Sequence, residues 1–296
     1  GDVAMTVPVL RAFVNQYPQV KITVVSRPFF KPFFDSIPNI SFFAFDEKKR
    51  HKGVLGLLRL FQDLKVFRTD AFADLHNVLR SKIIRGLFAL SGKKVASVDK
   101  GRAEKKALTQ PENKVFKQLP TMFERHVKVF EQLGFTVDLS SRSVGTVFPE
   151  KAIFSPEILT IIGQKNQKLI GIAPFAQYDS KVYPQDLMQQ VIDALTDNKN
   201  NHIFLFGGGD TEIQKLNALQ NKHENVFVVA GKLAFEAEIQ LISNLDVMLS
   251  MDSGNSHIAA MLGVKVITLW GATHPYAGFK PFNQPDDFCL TADRTQ

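Results

Sequence analysis

Short runs of β-branched and aromatic residues alternate with longer amphipathic segments along the chain. In the first half this pattern predicts strands at Val20–Ser26, Ile40–Phe45, Ala71–Leu75 and Lys94–Val98. Apolar residues at three- and four-residue spacing predict helices at Thr6–Gln16, Val54–Phe67, Val78–Leu90 and Thr121–Leu133. Strands that alternate with helices are typical of a parallel α/β fold.

The same alternation restarts in the second half. Strands are predicted at Leu169–Ala173, His202–Phe206, Val226–Val229, Val247–Ser250 and Val266–Leu269. Helices are predicted at Pro184–Leu195, Thr211–Leu219, Phe235–Ser243 and Asn255–Leu262. A stretch near 138–154, with several serines, Gly145 and Pro149, is typical of a linker. We therefore expect two Rossmann-like domains, residues 1–150 and residues 151–296.

The charge is divided unequally between these halves. Residues 1–150 carry 25 Lys+Arg and 14 Asp+Glu, a net of +11, whereas residues 151–296 carry 11 and 15, a net of −4. A basic half indicates anionic partners such as nucleic acid, a phosphorylated lipid or a membrane surface. Solvated helix faces in a lysine-rich protein explain the same charge equally well.

Several classes of protein are disfavoured by what the sequence lacks. It has no run of 18 apolar residues, so no transmembrane helix is expected. The single cysteine, Cys289, cannot form an internal disulfide and favours a cytoplasmic protein. No two aspartates flank a single residue, and no H-x-x-x-H or G-x-S-x-G spacing occurs. We therefore expect no metal ion and no serine-hydrolase site.

The segment Ser250–Gly263 is the strongest local signal. A strand is predicted to end at Ser250, and after Asp252 a helix is predicted to begin near Asn255. Backbone amides and the hydroxyls of Ser253 and Ser256 would then surround a helix N-terminus, which attracts phosphate. An Asp/Ser helix cap with a partly buried His257 explains the same residues.

Three weaker signals lie at other predicted turns. Lys181, just before a predicted helix, could reach a diphosphate, although loop lysines are usually only solvated. Gly207-Gly208-Gly209 does not fit the dinucleotide pattern and predicts a tight turn. Gly1–Pro8 is predicted to be a loop that leads into a helix, where the carboxylate of Asp2 could be a helix cap or a general base.

Taken in order, these segments resemble glycosyltransferase family 9, the lipopolysaccharide heptosyltransferases. The resemblance covers nearly the whole chain. It rests on Gly1–Leu10, Asp74–Ser81, Gly171–Pro184, Gly231–Leu233 and Asp252–Ala260. The family implies an α/β protein of the GT-B fold, with two Rossmann-like domains that face each other across a cleft. The first domain would bind the acceptor and the second the nucleotide sugar, in an inverting, metal-independent transfer.

The resemblance also assigns roles to individual residues. Asp2 matches the proposed catalytic base, Lys181 a lysine near the donor phosphates, and Glu236 a carboxylate near the ribose. Arg80 is expected to contact the acceptor. Further donor contacts are expected from Asp252, Ser253, Gly254, Ser256 and His257.

The resemblance implies a nucleotide-sugar donor, expected to be ADP-heptose, without a separate cofactor. It implies an anionic glycolipid acceptor at the inner membrane surface and no nucleic acid. The location is expected to be the cytoplasm, including a peripheral position on the inner membrane. A first strand ahead of Gly1 and a segment beyond Gln296 are also expected. A transferase with another nucleotide sugar, a sugar-nucleotide epimerase and a basic nucleic-acid binder are the alternatives.

Overall fold

The computed structural model describes residues 1–140, 156, 159, 167–221 and 223–292. The chain divides into two compact units, Asp2–Gly145 and Thr146–Gln296, with Gly1 grouped in the second. We call them the first and the second unit. The domain boundary predicted at residues 150 and 151 lies outside the described residues, as does most of the predicted linker.

The first unit alternates strands with helices, as the pattern predicts. Its helices are α1 (Asp2–Gln16), α2 (Gly53–Lys65), α3 (Leu79–Leu90), α4 (Arg102–Thr109) and α5 (Met122–Gln132). Its strands are β1 (Ile22–Ser26), β2 (Ile40–Ala44), β3 (Ala71–Asp74) and β4 (Lys94–Ser97). They form two parallel pairs, β1 with β2 and β3 with β4. No helix within the described ranges is both long and apolar enough to cross a membrane.

The predicted loop at Gly1–Pro8 is wrong, because α1 begins at Asp2 and runs through Pro8. A proline inside a helix removes one hydrogen bond and costs about 3 kcal/mol. Burial offsets this cost, since Met5, Val7 and Val9 are almost inaccessible to solvent and each buried apolar side chain contributes about 1.5–3 kcal/mol. Asp2 also lies in the first turn of α1, where the helix dipole favours its charge.

One hydrophobic cluster of the first unit lies between α2 and α3. Leu57, Leu60 and Leu64 of α2 pack with Ile84 and Phe88 of α3. Aromatic side chains from the strands extend this cluster. These three leucines of α2 are spaced three and four residues apart, so they form one apolar side of the helix, and that side faces the core.

The second unit is built on a six-stranded parallel sheet. Its strands are β5 (Lys168–Ala173), β6 (Asn201–Leu205), β7 (Val226–Val228), β8 (Val247–Met251), β9 (Lys265–Trp270) and β10 (Cys289–Thr291). Its helices are α6 (Gln185–Thr196), α7 (Asp210–Gln220), α8 (Phe235–Ser243) and α9 (Gly254–Met261). The strand order is β10-β9-β8-β5-β6-β7.

This order places a topological switch point between β5 and β8. From β5 the chain continues to β6 and β7 on one side, whereas from β8 it continues to β9 and β10 on the other. The loops that follow the two strands therefore diverge and leave a crevice at their carboxyl ends. Open parallel sheets bind ligands in this crevice.

Candidate active site

A carboxylate at the switch point holds three loops of the second unit together. Asp252, directly after β8, accepts a hydrogen bond from Lys181 Nζ on the loop after β5, at 2.7 Å. The same Asp252 oxygen accepts a hydrogen bond from Thr273 Oγ1, on the loop after β9, at 2.8 Å. Asp252 is buried, and Lys181 retains partial exposure. The structure therefore brings together two predicted donor-site residues that are far apart in sequence.

The N-terminus of α9 lies directly after this carboxylate. Gly254 begins the helix, and the first amides of an α-helix have no acceptor within it. The hydroxyl of Ser253 meets that of Ser250 at 3.1 Å instead of capping the helix. Ser256 is buried and donates to the Ser253 carbonyl at 2.8 Å. His257 is also buried. Contact of the Ser256 and His257 side chains with a nucleotide-sugar donor therefore stays a prediction.

Gly271 allows the loop after β9 to approach Lys181 closely. A Cβ at position 271 would lie 2.6 Å from the Ser180 carbonyl oxygen and 2.8 Å from Lys181 Cα. The neighbouring Ala272 amide donates to that carbonyl at 2.8 Å. Because the obstructing atoms belong to the backbone, no side-chain rotation can make room.

A Gly271→Ala substitution should therefore displace the turn that carries Lys181. We expect a loss of about 1–3 kcal/mol in the free energy of unfolding, as for other overpacked positions, together with weaker donor binding. Denaturant unfolding and calorimetric titration measure the two effects. Gly86→Ala is the control, since its Cβ would meet nothing within 4 Å. Equal stability of both variants would contradict the steric role of Gly271.

A cavity of about 350 Å³ lies between the loops after β5 and β6. Phe175 and Gln177 line one side, and the predicted glycine turn at Gly208 and Gly209 lines the other. Lys215 lies over the Phe175 ring at 5.7 Å. The three-glycine segment therefore borders a space at the carboxyl edge of the sheet.

Two other predicted site residues lie on exposed helix ends. Glu236 is exposed in the first turn of α8, and in the described part of the chain no ion pair or hydrogen bond connects it to Lys181 or Asp252. Arg80, near the start of α3, pairs with Glu47 and lies over the Phe45 ring at 5.5 Å. An acceptor anion would therefore compete with Glu47 for Arg80. The roles of Glu236 and Arg80 stay predictions.

In the first unit, Asp2 lies near the loop that follows β3. Its Oδ2 is 3.6 Å from His76 Nε2, and both side chains are more than half exposed. The buried Asp74 shapes this loop, accepting from the His76 amide at 3.1 Å and the Asn77 amide at 2.7 Å. Asn77 adopts a left-handed φ of 48°, which asparagine tolerates. His76 is thus presented to Asp2 by a defined turn.

The cations of this region affect both His76 and a nearby lysine. Partial burial, followed by the charge of Lys100, lowers the pKa of His76, so its ring is mainly neutral at pH 7. Partial burial and the charge of Arg125 lower the pKa of Lys105 to about 8, and the charge of Asp2 opposes this shift. Asp2 therefore lies among positive charges, beside an uncharged imidazole.

The buried His126 of α5 should make folding sensitive to acid. Burial lowers its pKa from 6.5 to about 4. The unfolded chain then takes up the proton first, so stability is full above pH 6.5 and falls as the pH drops toward 4. The loss should reach about 3 kcal/mol. His126→Phe should remove this part of the pH dependence in urea unfolding, whereas His223→Asn, in the second unit, should not. An unchanged dependence in His126→Phe would contradict the assignment.

Three residues that the sequence pattern does not single out also shape the site. They are His76, Gly271 and Thr273. Each lies one to three residues after the end of an observed strand, β3 or β9, which places it at the carboxyl edge of its strand. Their position just after a strand could have marked them as site candidates in the sequence. Their contacts could not be predicted, because they depend on the order of the strands in the sheet.

Comparison with known proteins adds independent information. The family model of glycosyltransferase family 9 (heptosyltransferase) matches residues 57–295. The lipopolysaccharide core heptosyltransferase OpsX of Haemophilus influenzae is 27% identical over 298 residues, covering 97% of this chain and 80% of that protein. The match therefore extends over most of both proteins.

Solved structures show the same architecture. The family 9 glycosyl transferase of Veillonella parvula matches with a TM-score of 0.76 and 20% identity, covering 99% of this chain and 83% of that one. E. coli heptosyltransferase WaaC, solved with ADP, matches with a TM-score of 0.69 and 19% identity, covering 99% and 90%. The chain therefore belongs to glycosyltransferase family 9, the heptosyltransferase family, and is a glycosyltransferase with the α/β GT-B fold.

Proposed function

We propose that this protein transfers heptose from ADP-heptose to a lipopolysaccharide core acceptor, with inversion and without a metal ion. The observation that carries the proposal is the cluster of Lys181, Asp252 and Thr273 at the switch point, directly before the N-terminus of α9. The similarity to OpsX and to WaaC with ADP supports the sugar and the nucleotide.

The second unit is proposed to bind the donor diphosphate. The ammonium group of Lys181 can donate three hydrogen bonds. Asp252 accepts one of them, so two remain for phosphate oxygens. The free amides and the dipole of α9 favour negative charge at the same place. As the bond between the anomeric carbon and the phosphate oxygen breaks, these fixed donors stabilise the charge on the leaving ADP. Glu236 is proposed to bind the ribose hydroxyls.

The first unit is proposed to supply the general base. An acceptor hydroxyl attacks the anomeric carbon while the Asp2 carboxylate takes its proton, and ADP departs from the opposite face. One such displacement inverts the anomeric configuration. The neutral His76, near Asp2, leaves the carboxylate without a competing ion pair at pH 7.

The acceptor is proposed to be an anionic glycolipid held through the basic first unit, with Arg80 as one contact. The excess of positive charge in residues 1–150 supports this proposal. The same positive charge supports a position of the protein on the cytoplasmic face of the inner membrane, where it could bind such an acceptor.

The test is an assay of nucleoside diphosphate release with ADP-heptose and a lipid A–Kdo acceptor. Parallel reactions contain UDP-, GDP- and CDP-sugars, and one series contains EDTA. We expect acceptor-dependent release of ADP, unaffected by EDTA, and a product of inverted configuration by NMR. Preference for another nucleotide sugar would contradict the proposed donor. Loss of activity in EDTA, restored by a divalent cation, would contradict the metal-independent mechanism.

A further inference from the structure

The carboxylate proposed as general base has an imidazole beside it, on a turn that is fixed in place. Asp2 Oδ2 lies 3.6 Å from His76 Nε2, and both side chains are more than half exposed. The buried Asp74, which accepts from the His76 amide, also pairs with Arg85 of α3 at 3.2 Å. Asn77, the next residue, donates from its side chain to the carbonyl that directly follows β4, at 2.7 Å. The turn that carries His76 is thus tied both to α3 and to the end of β4.

Charged groups face His76 from several elements. Asp2 lies on α1 and Asp74 at the end of β3, and both favour the protonated ring. Lys100, on the loop after β4, and Arg80, on α3, favour the neutral ring, as does partial burial of the imidazole. Burial and the charge of Lys100 prevail, so the pKa of His76 lies below its ordinary value of 6.5. His76 therefore changes its charge in mildly acidic solution.

The charge of this ring decides what the Asp2 carboxylate can do. A neutral imidazole that faces a carboxylate presents an N–H group to it, so Nε2 of His76 carries the proton and donates. One Asp2 oxygen is then held, while the other remains available to an acceptor hydroxyl. A protonated imidazole instead holds the carboxylate in an ion pair, and a carboxylate held by a cation is a weaker base. Pairs of this kind often shorten when the substrate binds, so 3.6 Å is compatible with both states.

We propose that His76 is a positioning residue for Asp2: its uncharged ring donates a hydrogen bond to one carboxylate oxygen during sugar transfer, and its protonated ring holds the carboxylate in an ion pair that stops transfer. In the active state the proton of the acceptor hydroxyl goes to the other Asp2 oxygen. His76 acts through Asp2 and not on the substrate itself. This inference rests on the proposed role of Asp2 as general base, and it adds the group that limits the pH range in which this base works.

The pH dependence of turnover in two variants tests the proposal. In the parent protein turnover should fall as the pH drops below 6.5. His76→Gln keeps a side-chain N–H without a group that titrates, so its rate at about pH 7.5 should stay within about threefold of the parent. Its acid limb should move down by about one pH unit or more. His76→Ala removes the donor, so its kcat should fall about tenfold or more at every pH, with KM for the acceptor nearly unchanged.

A matched control separates this role from a structural one. His223→Gln removes the imidazole of another histidine–aspartate pair, in which His223 Nε2 lies 2.7 Å from Asp193 in the second unit. This variant should keep the rate and the pH profile of the parent. Thermal unfolding at each pH should be alike in parent and His76 variants, because the His76 side chain is more than half exposed. The same acid limb in His76→Gln as in the parent, or a normal rate in His76→Ala, would overturn the proposal.

An NMR titration of the His76 ring measures its coupling to Asp2 without any sugar transfer. The Cε1 proton signal is assigned by its loss in His76→Gln. Asp2→Asn should lower the pKa of His76, because the charge of Asp2 favours the protonated ring, and Lys100→Gln should raise it. Absence of both shifts would also overturn the proposal.

The outcomes for this inference and for the proposed function can be told apart. Coupling between His76 and Asp2 in a protein that transfers no sugar would contradict the proposed function. Loss of turnover in Asp2→Asn, together with an unchanged acid limb in His76→Gln, would contradict this inference alone.

Discussion

An Asp2→Asn variant should turn over its donor about 10²–10⁴ times more slowly, the range expected for loss of a general base. Asparagine keeps the size and one oxygen of the side chain, but its amide does not take a proton at neutral pH. Asp2 is largely exposed at the start of α1, where asparagine is also a good terminal residue. Folding should therefore be preserved. Steady-state kinetics measure turnover, and calorimetric titration of the donor should show unchanged affinity.

Asp35→Asn provides the matched control for this prediction. Asp35 is another exposed aspartate of the first unit, and it pairs with Lys31 at 2.8 Å. Its replacement should leave turnover within about twofold of the parent, as for ordinary surface changes. Near-normal turnover in Asp2→Asn would remove Asp2 from the role of base. A residual rate that disappears in Asp2→Asn/His76→Gln would indicate that the neutral imidazole accepts the proton when the carboxylate is absent.

A Lys181→Met variant should both destabilise the second unit and weaken donor binding. Methionine keeps the apolar stem but removes the cation that pairs with the buried Asp252 carboxylate, which retains its hydrogen bond from Thr273. Breaking such a pair costs about 3 kcal/mol of the free energy of unfolding. Loss of a charged hydrogen bond to phosphate should weaken the donor about tenfold or more. Urea unfolding without donor and calorimetric titration with donor separate the two losses.

Two controls distinguish a structural lysine from one that binds phosphate. Lys265→Met changes an exposed lysine at the amino end of β9, the opposite edge of the sheet, and should alter neither quantity. Lys181→Met/Asp252→Asn removes the uncompensated charge, so it should regain stability without regaining donor affinity. Donor affinity that is unchanged in Lys181→Met would limit Lys181 to its ion pair with Asp252.

Most strands and helices of both units follow directly from the hydrophobic pattern. Strands β5 to β9 and helices α6 to α9 lie within a few residues of their predicted bounds. Short apolar runs mark the strands, which are buried almost continuously in β5 and β6, and apolar positions three to four residues apart mark the helices. Helix α4 is not predicted, since only Leu108 of its eight residues is buried and the rest carry no apolar stripe. The predicted helix starts at Thr6, because a proline is tolerated in the first turn of a helix and Pro8 would then lie there. Burial of its apolar side chains allows α1 to begin four residues earlier, at Asp2.

The contacts within the candidate site cannot be predicted from the sequence in the same way. Lys181 and Asp252 can be selected from sequence, but their hydrogen bond joins positions 71 residues apart. A periodic pattern identifies strands without giving their order, and the contact exists only because β8 lies beside β5. The need for glycine at position 271 likewise comes from the Ser180 carbonyl, which the local sequence does not contain.

The hydrogen bond from Lys181 to Asp252 has a thermodynamic consequence for ligand binding. A free lysine side chain loses rotamer freedom when a ligand fixes it, at a cost of about 0.5–1.5 kcal/mol. Here Asp252 restricts the chain of methylenes before any donor arrives, and that ordering has already occurred on folding. In calorimetry, donor binding should therefore show a less unfavourable entropy in the parent protein than in Asp252→Asn, in which Lys181 is released to sample many rotamers.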